Sequence, residues 1–182
     1  MAKVGIIATA SKPFHSGHHA LIKIASDEND EVRLFASLND RIRKGEHPIY
    51  GNDMAKIWKQ HIEPILPNNV NVEYTTGVSP VRCVYSYLGD KNESNSTDEF
   101  AIYSDPNDAL VNFPERSLIK YLGMLHAKGQ IKLVPIDRTQ TVNVSGTQMR
   151  RWLADGDIAN FSKHVPVGVD SIAVWRLLNK QI

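Results

Sequence analysis

The chain alternates between short apolar runs and longer stretches of helical spacing. Residues 4–9, VGIIAT, are a continuous apolar run of the kind expected of a strand buried on both faces, and the period then changes, with Leu21, Ile22 and Ala25 on one side of a helix. The same switch recurs. EVRLFAS (31–37) is followed by GNDMAKIWKQHIEPIL (51–66), a helix with Met54, Ile57, Trp58 and Ile62 on one side; NVNVEY (69–74) is followed by PVRCVYSYL (80–88). EFAIYSD (99–105) then leads to a helix over FPERSLIKYLGMLHAKG (113–129), with Pro114 near its start and Gly129 beyond its end. IKLVPI (131–136) is a fifth strand, and the last third finishes in helices at 145–157, 158–165 and 171–181. Strands alternating with helices of about 10–15 residues predict an α/β fold, a doubly wound, Rossmann-like parallel sheet of five strands with C-terminal helices.

The chain's 182 residues suit one domain spanning 1–182 better than two, and 42% apolar with 23% charged residues is the balance of an ordinary globular protein. The segment GDKNESNST (89–97) reads as a surface loop rather than a boundary. A net charge of +1 leaves no broad electrostatic footprint for nucleic acid. The single cysteine, Cys83, excludes an internal disulfide and any Cys-based zinc framework. No run of about 18 apolar residues exists and the N-terminus lacks a signal-peptide core, so no membrane association and a cytoplasmic location are expected. The final helix, with Ile172, Val174, Trp175, Leu177 and Leu178, is apolar enough to pack on the domain or on another subunit, which leaves a homo-oligomer open.

In an open α/β sheet, ligands collect outside the carboxyl ends of the strands, and SKPFHSGHH (11–19) fills the loop after the first strand. Ser16 is a plausible N-cap for the helix that follows. Gly17 and His18 would then offer free backbone N–H groups to an anion, with no side chain at Gly17 to obstruct it. His15 and His18 flank the glycine and can donate to phosphate oxygens, whereas His19 reads as a solvated or satisfied histidine. A surface loop and a metal site are the competing readings, the latter weakened because no carboxylate or cysteine accompanies the three histidines.

A second segment changes that balance. Ser145 and Gln148 fit a capping box that opens a helix after the fifth strand, with Met149, Trp152 and Leu153 as its apolar stripe and Arg150 on another face, where a guanidinium can clamp phosphate. Arg151 reads as a solvated charge. Together, His15-Ser16-Gly17-His18 and Ser145-Gly146-Thr147-Gln148-Met149-Arg150 resemble, in order and spacing, the HxGH and [ST]-[STG]-T-x-[IVM]-[RK] motifs of the nucleotidyltransferase superfamily. The resemblance runs from the first strand to the helix opened by Ser145.

The resemblance implies transfer of a nucleotidyl group from ATP, with Mg2+, to a small phosphorylated acceptor and release of pyrophosphate. The form of the second motif is closest to enzymes that act on nicotinamide mononucleotide. Other acceptors, such as phosphopantetheine, flavin mononucleotide or glycerol phosphate, CTP as donor, and a non-catalytic nucleotide-binding module are the alternatives. By the same resemblance, His15, His18 and Arg150 are catalytic, and Ser145, Gly146, Thr147 and Gly17 hold phosphates. Thr9, Ala10, Ser104 and Asp105 bind the nucleotide, with Asp108 near them. Lys44, beside Arg41 and Arg43 in the loop after the second strand, handles phosphate, and Arg82 is a candidate for the acceptor's phosphate. No protein metal site is expected. Thr9-Ala10-Ser11 departs from the G-x-F or G-R-F element usual in the family before the proline. Neither a P-loop nor a dinucleotide-binding G-x-G-x-x-G occurs.

Overall fold

The computed structural model describes residues 1–180. Five strands, β1 (Lys3–Thr9), β2 (Glu31–Ser37), β3 (Val70–Thr75), β4 (Glu99–Ser104) and β5 (Ile131–Pro135), pair in the order β3-β2-β1-β4-β5, and every pairing is parallel. The sheet is the doubly wound, Rossmann-like one that the alternation predicts. Its two faces explain why β1 is apolar at consecutive positions. Val4 and Ile6 belong to one core and Ile7 to the other, all almost fully buried, as successive side chains of a strand point to opposite faces.

One face is covered by helices α1 (Ser16–Glu28), α2 (Gly51–Ile57), α7 (Gly146–Asp155), α8 (Ile158–Lys163) and α9 (Ser171–Leu178). Ile22, Trp58, Met149, Phe161 and Val174 join a single cluster there. On the other face, α3 (Pro80–Glu93), α5 (Glu115–Tyr121) and α6 (Gly123–Ala127) bring Val84, Leu88, Leu118 and Leu125 onto Val4, Ile6 and Phe100. α9 settles onto its own domain: Val174 and Leu178 are buried in the first cluster, with Trp175 and Leu177 packed against it. The expected extension of this helix to residue 181 stops at Leu178, with Asn179 as its C-cap, and Gln181 lies outside the described residues. No helix among the described residues is long and apolar enough to cross a membrane.

Four further elements differ from the pattern-based expectation. The helix expected over 51–66 ends as α2 at Ile57 and continues as a π-helical turn, Trp58–Ile62, and a 3-10 turn, Glu63–Ile65. Pro64 supplies the cause. It has no N–H for the Gln60 carbonyl and its ring crowds that carbonyl, so the ladder widens and the Glu63 N–H reaches back to Trp58 O. The helix expected over 113–129 breaks at Leu122 (φ −131°, ψ 37°), because the Asn92 carboxamide oxygen accepts from the Met124 and Leu125 N–H groups at 2.9 and 3.1 Å and starts α6 separately. Asn92 reaches that position because α3 runs on to Glu93, so half of the expected 89–97 loop is helical. Finally, Asp105, readable from the sequence as a turn or an N-cap residue, caps a short helix, α4 (Pro106–Asn112), that the pattern did not predict.

The loop between β2 and α2 is fixed at both ends. Arg41 and Ile49 exchange backbone hydrogen bonds of 2.8 and 3.0 Å, and the Gly51 N–H donates to Asp40 Oδ1 at 2.7 Å. A Cβ at Gly51 would lie 1.8 Å from the Leu38 carbonyl oxygen, so only glycine fits there. Gly51→Ala should therefore lower unfolding stability by about 1–3 kcal/mol, the usual cost of overpacking, read as a drop in the urea midpoint at unchanged slope.

Candidate active site

A cavity of about 320 Å³ opens at the carboxyl ends of β1 and β4. It is lined by Thr9, Ala10, His15, Gly17 and His18 from the first crossover, Ser104 and Asp105 from the end of β4, and Ser145, Gly146, Thr147 and Arg150 from α7. Segments some 130 residues apart in sequence thus share one wall. Of the twelve residues expected at the site, Lys44 is the exception. It is exposed and outside the lining, as is Arg43, because the tied loop turns them to solvent and directs Arg41 inward instead. His19 and Arg82 also lie outside the lining; Asp108 lies within it.

The start of α1 differs from expectation in an informative way. His15, not Ser16, is the N-cap: its Nδ1 accepts the Gly17 N–H at 3.1 Å, while His18 Nδ1 accepts the His15 N–H at 3.1 Å. This is a reciprocal capping box made by two imidazoles. The Gly17 N–H is therefore not free for an anion. Ser16 instead donates its hydroxyl to the His164 carbonyl at 2.9 Å, and its N–H to the same oxygen at 2.8 Å, tying α1 to the end of α8.

With both Nδ1 atoms serving as acceptors, each neutral ring carries its proton on Nε2. The rings stack with centroids 3.7 Å apart, and among the described residues no protein acceptor meets either Nε2. Burial lowers the His15 pKa to about 3 and drives that of His18 well below the usual histidine value, each ring also disfavouring charge because of positive neighbours such as Arg138. The site thus presents two neutral N–H donors whose tautomer is set by the backbone. Gly17 is required for this: a Cβ there would sit 2.9 Å from His15 Cε1 and 3.3 Å from the Val142 carbonyl oxygen.

At the other wall, α7 begins as expected. Ser145 Oγ accepts the Gln148 N–H at 3.1 Å and Gln148 Oε1 accepts the Ser145 N–H at 2.9 Å. The first-turn N–H groups of Gly146 and Thr147 have no intrahelical acceptor and border the cavity. Arg150 is more constrained than expected. It is buried, with Nη1 donating to the Lys12 carbonyl at 2.7 Å, Nη2 to Thr147 Oγ1 at 3.2 Å, and Nε 3.3 Å from Glu46 Oε2. A Cβ on Gly146 would come within 2.9 Å of Nη1. Arg151, by contrast, is exposed as expected.

Glu46 also receives Arg41, at 2.8 and 3.1 Å, so one carboxylate bridges both arginines and is held below its usual pKa by Arg41 first of all. Ser104 contributes a buried hydroxyl with no partner among the described residues. Asp105 is both a cap, accepting the Asn107 N–H at 2.9 Å, and part of the lining, while burial and the neighbouring Asp105 raise the pKa of Asp108. The pattern reading missed Lys12 and Arg138, which also line the cavity. Arg138 gave no motif signal. Lys12 lies directly before the Pro-Phe of the first motif, which was the signal available.

The chain has a Rossmann-like fold shared with solved nucleotide-binding structures. A protein assigned as a nicotinate-nucleotide adenylyltransferase from Vibrio parahaemolyticus superposes with a TM-score of 0.61 at 18% identity, over 98% of this chain and 99% of that one. Plasmodium falciparum nicotinic acid mononucleotide adenylyltransferase, complexed with NaAD, gives 0.58 at 15% identity, over 100% and 99%. Thermotoga maritima TmcAL, bound with alpha-thio ATP, gives 0.54 at 14% identity, over 96% of this chain and 55% of that one. No protein-family model matches the sequence, and no curated protein matches it.

The histidine geometry sets a pH dependence of stability. Above the unfolded value near 6.5 both states hold neutral His15; between 6.5 and about 3 only the unfolded chain takes up the proton, so stability falls with pH in that window. The loss per pH unit is about 1.4 kcal/mol for each such ring. Urea unfolding at pH 7 and pH 5 should show it, with a shallower fall in His15→Asn, which keeps a capping side chain and removes that titration.

Proposed function

We propose that the chain is an HxGH-type nucleotidyltransferase that moves AMP from ATP to a small phosphorylated acceptor, nicotinamide mononucleotide foremost, and releases pyrophosphate. The observation that carries this reading is the convergence of HSGH and SGTQMR on one cavity, whose lining holds two neutral imidazoles with unpartnered Nε2 atoms among the described residues, a capped helix start and a buried guanidinium. The likeness to adenylyltransferase structures supports it at the level of the fold.

In this reading a phosphate oxygen of the acceptor attacks the α-phosphorus of ATP in line. A new P–O bond forms as the bond to the β-phosphate oxygen breaks, and pyrophosphate departs with that electron pair. No protein nucleophile and no general base is required, since the attacking phosphate is already ionised. His15 and His18 donate to the α-phosphate oxygens, where negative charge grows in the transition state. The open N–H groups of α7 and Arg150 hold the β- and γ-phosphates. Neutral imidazoles suit the task because they donate throughout the physiological pH range without titrating.

Magnesium enters with ATP in this scheme. The ion would be held by phosphates and water rather than by a protein cage. Bound there, it would neutralise phosphate charge.

Glu46 occupies the place of an anion between Arg41 and Arg150. Incoming phosphates exchange for it. Glu46→Gln should tighten binding of inorganic tripolyphosphate severalfold in titration calorimetry.

The assignment itself is tested by pyrophosphate release from ATP and from CTP across a panel of nicotinamide mononucleotide, nicotinic acid mononucleotide, phosphopantetheine, flavin mononucleotide and glycerol phosphate. Release with one acceptor is expected. Removing one transition-state donor costs about 10²–10³-fold in turnover, so His18→Ala should fall by that factor while its circular dichroism stays native. A chain that binds ATP tightly but releases no pyrophosphate with any acceptor would be a binding module instead.

A further inference from the structure

Lys12 is a buried lysine, 5% exposed, in the wall of the cavity. Its ammonium donates to the Ser37 carbonyl at 2.7 Å and the Ala10 carbonyl at 3.2 Å. These are neutral acceptors. Among the described residues no carboxylate forms an ion pair with it, and two contacts leave one of its three N–H groups unspent. A buried charge without a counter-ion is unfavourable and persists only where something else compensates.

The surroundings identify the compensating group. The Lys12 carbonyl accepts from Arg150 Nη1, so the backbone of one cation is bonded to the side chain of a second. The two neutral histidines follow within six residues. The charged groups facing Lys12 are Asp40, which favours its proton, Arg41, which opposes it, and Arg150 across the carbonyl. Of the carboxylates nearby, Glu46 is already engaged by both arginines, and Asp105 and Asp108, which line the cavity from the end of β4, make no ion pair with Lys12 among the described residues. The wall is therefore short of negative charge at the point where the first crossover meets α7.

We propose that Lys12 is a further catalytic residue of this site, its ammonium touching the phosphate oxygens that meet during nucleotidyl transfer and taking them as its missing counter-charge. This rests on the nucleotidyltransferase reading. The carbonyls of Ala10 and Ser37 aim the ammonium before substrate arrives, so little reorganisation is left for the reaction. No bond to Lys12 forms or breaks, and it neither gives nor receives a proton. Burial lowers its pKa to about 8, so the free enzyme loses this charge on the alkaline side of neutrality, while bound phosphate holds the proton on.

The test compares wild type with Lys12→Met, which fills the same space without charge, and Lys12→Gln, which keeps a donor for the two carbonyls. Three readouts are needed: pyrophosphate release with the accepted substrate pair, calorimetric binding of ATP, and thermal melting. The expected result for both variants is a fall of about 10²-fold or more in kcat. Wild-type kcat/KM should decline above about pH 8, and that limb should vanish in both variants. Lys12→Met should melt no lower than wild type, because it relieves an uncompensated buried charge. A bridge that merely ties Ala10 to Ser37 would give the opposite pattern: a lowered melting temperature in Lys12→Met, wild-type kcat in Lys12→Gln, and the alkaline limb kept. That pattern overturns the proposal and leaves the nucleotidyltransferase reading intact. A wild-type chain that neither binds ATP nor releases pyrophosphate overturns both.

Discussion

The hydrogen bond from Arg150 Nη1 to the Lys12 carbonyl joins positions 138 residues apart in sequence, and the geometry of the site hangs on it. It crosses from α7 to the loop after β1. On one side of the bond stands the capping box that opens α7; on the other stand the paired imidazoles that open α1. Each helix start orients its own donors, and the bond sets the two starts against one another. Gly17 and Gly146 are small for the same reason, since a methyl group at either would push into the His15 ring or into the guanidinium. A charge-assisted bond of this kind also satisfies a buried carbonyl that would otherwise be left unpaired.

The electrostatic design divides labour between neutral and charged donors. Burial keeps the histidines uncharged, so they contribute direction, while Lys12, Arg41, Arg138 and Arg150 contribute charge. Asp40, Glu46, Asp105 and Asp108 oppose them nearby. A site of this composition carries an excess of positive charge that an anion would balance.

The sheet was legible along the chain because the central strands β1, β2 and β4, buried on both faces, read as apolar runs, while the edge strands β3 and β5 mix apolar with polar positions between turn signals. Helix limits were less so. The break at Leu122 depends on the distant side chain of Asn92, and the widened turn at Trp58 depends on Pro64 acting through the Gln60 carbonyl; neither is a periodicity. Within the site, residues on the two motifs were readable because spacing on a capped helix start fixes where a side chain goes. Lys44 was misplaced because loop direction is set by Arg41, Ile49 and Gly51 contacts that spacing does not encode. Ser16 was misjudged as the cap because histidine is a rarer capping residue than serine, and its bond to His164 is invisible locally.

That bond has a bearing on how the protein is made. Ser16 reaches an acceptor that is synthesised 148 residues later, and α1 begins beside it. The sheet's first strands are complete while most of the chain is still unmade, but Ser16 gains its acceptor only after His164 has been added. A fragment ending before residue 164 would hold every strand of the sheet but lack the acceptor that anchors the start of α1.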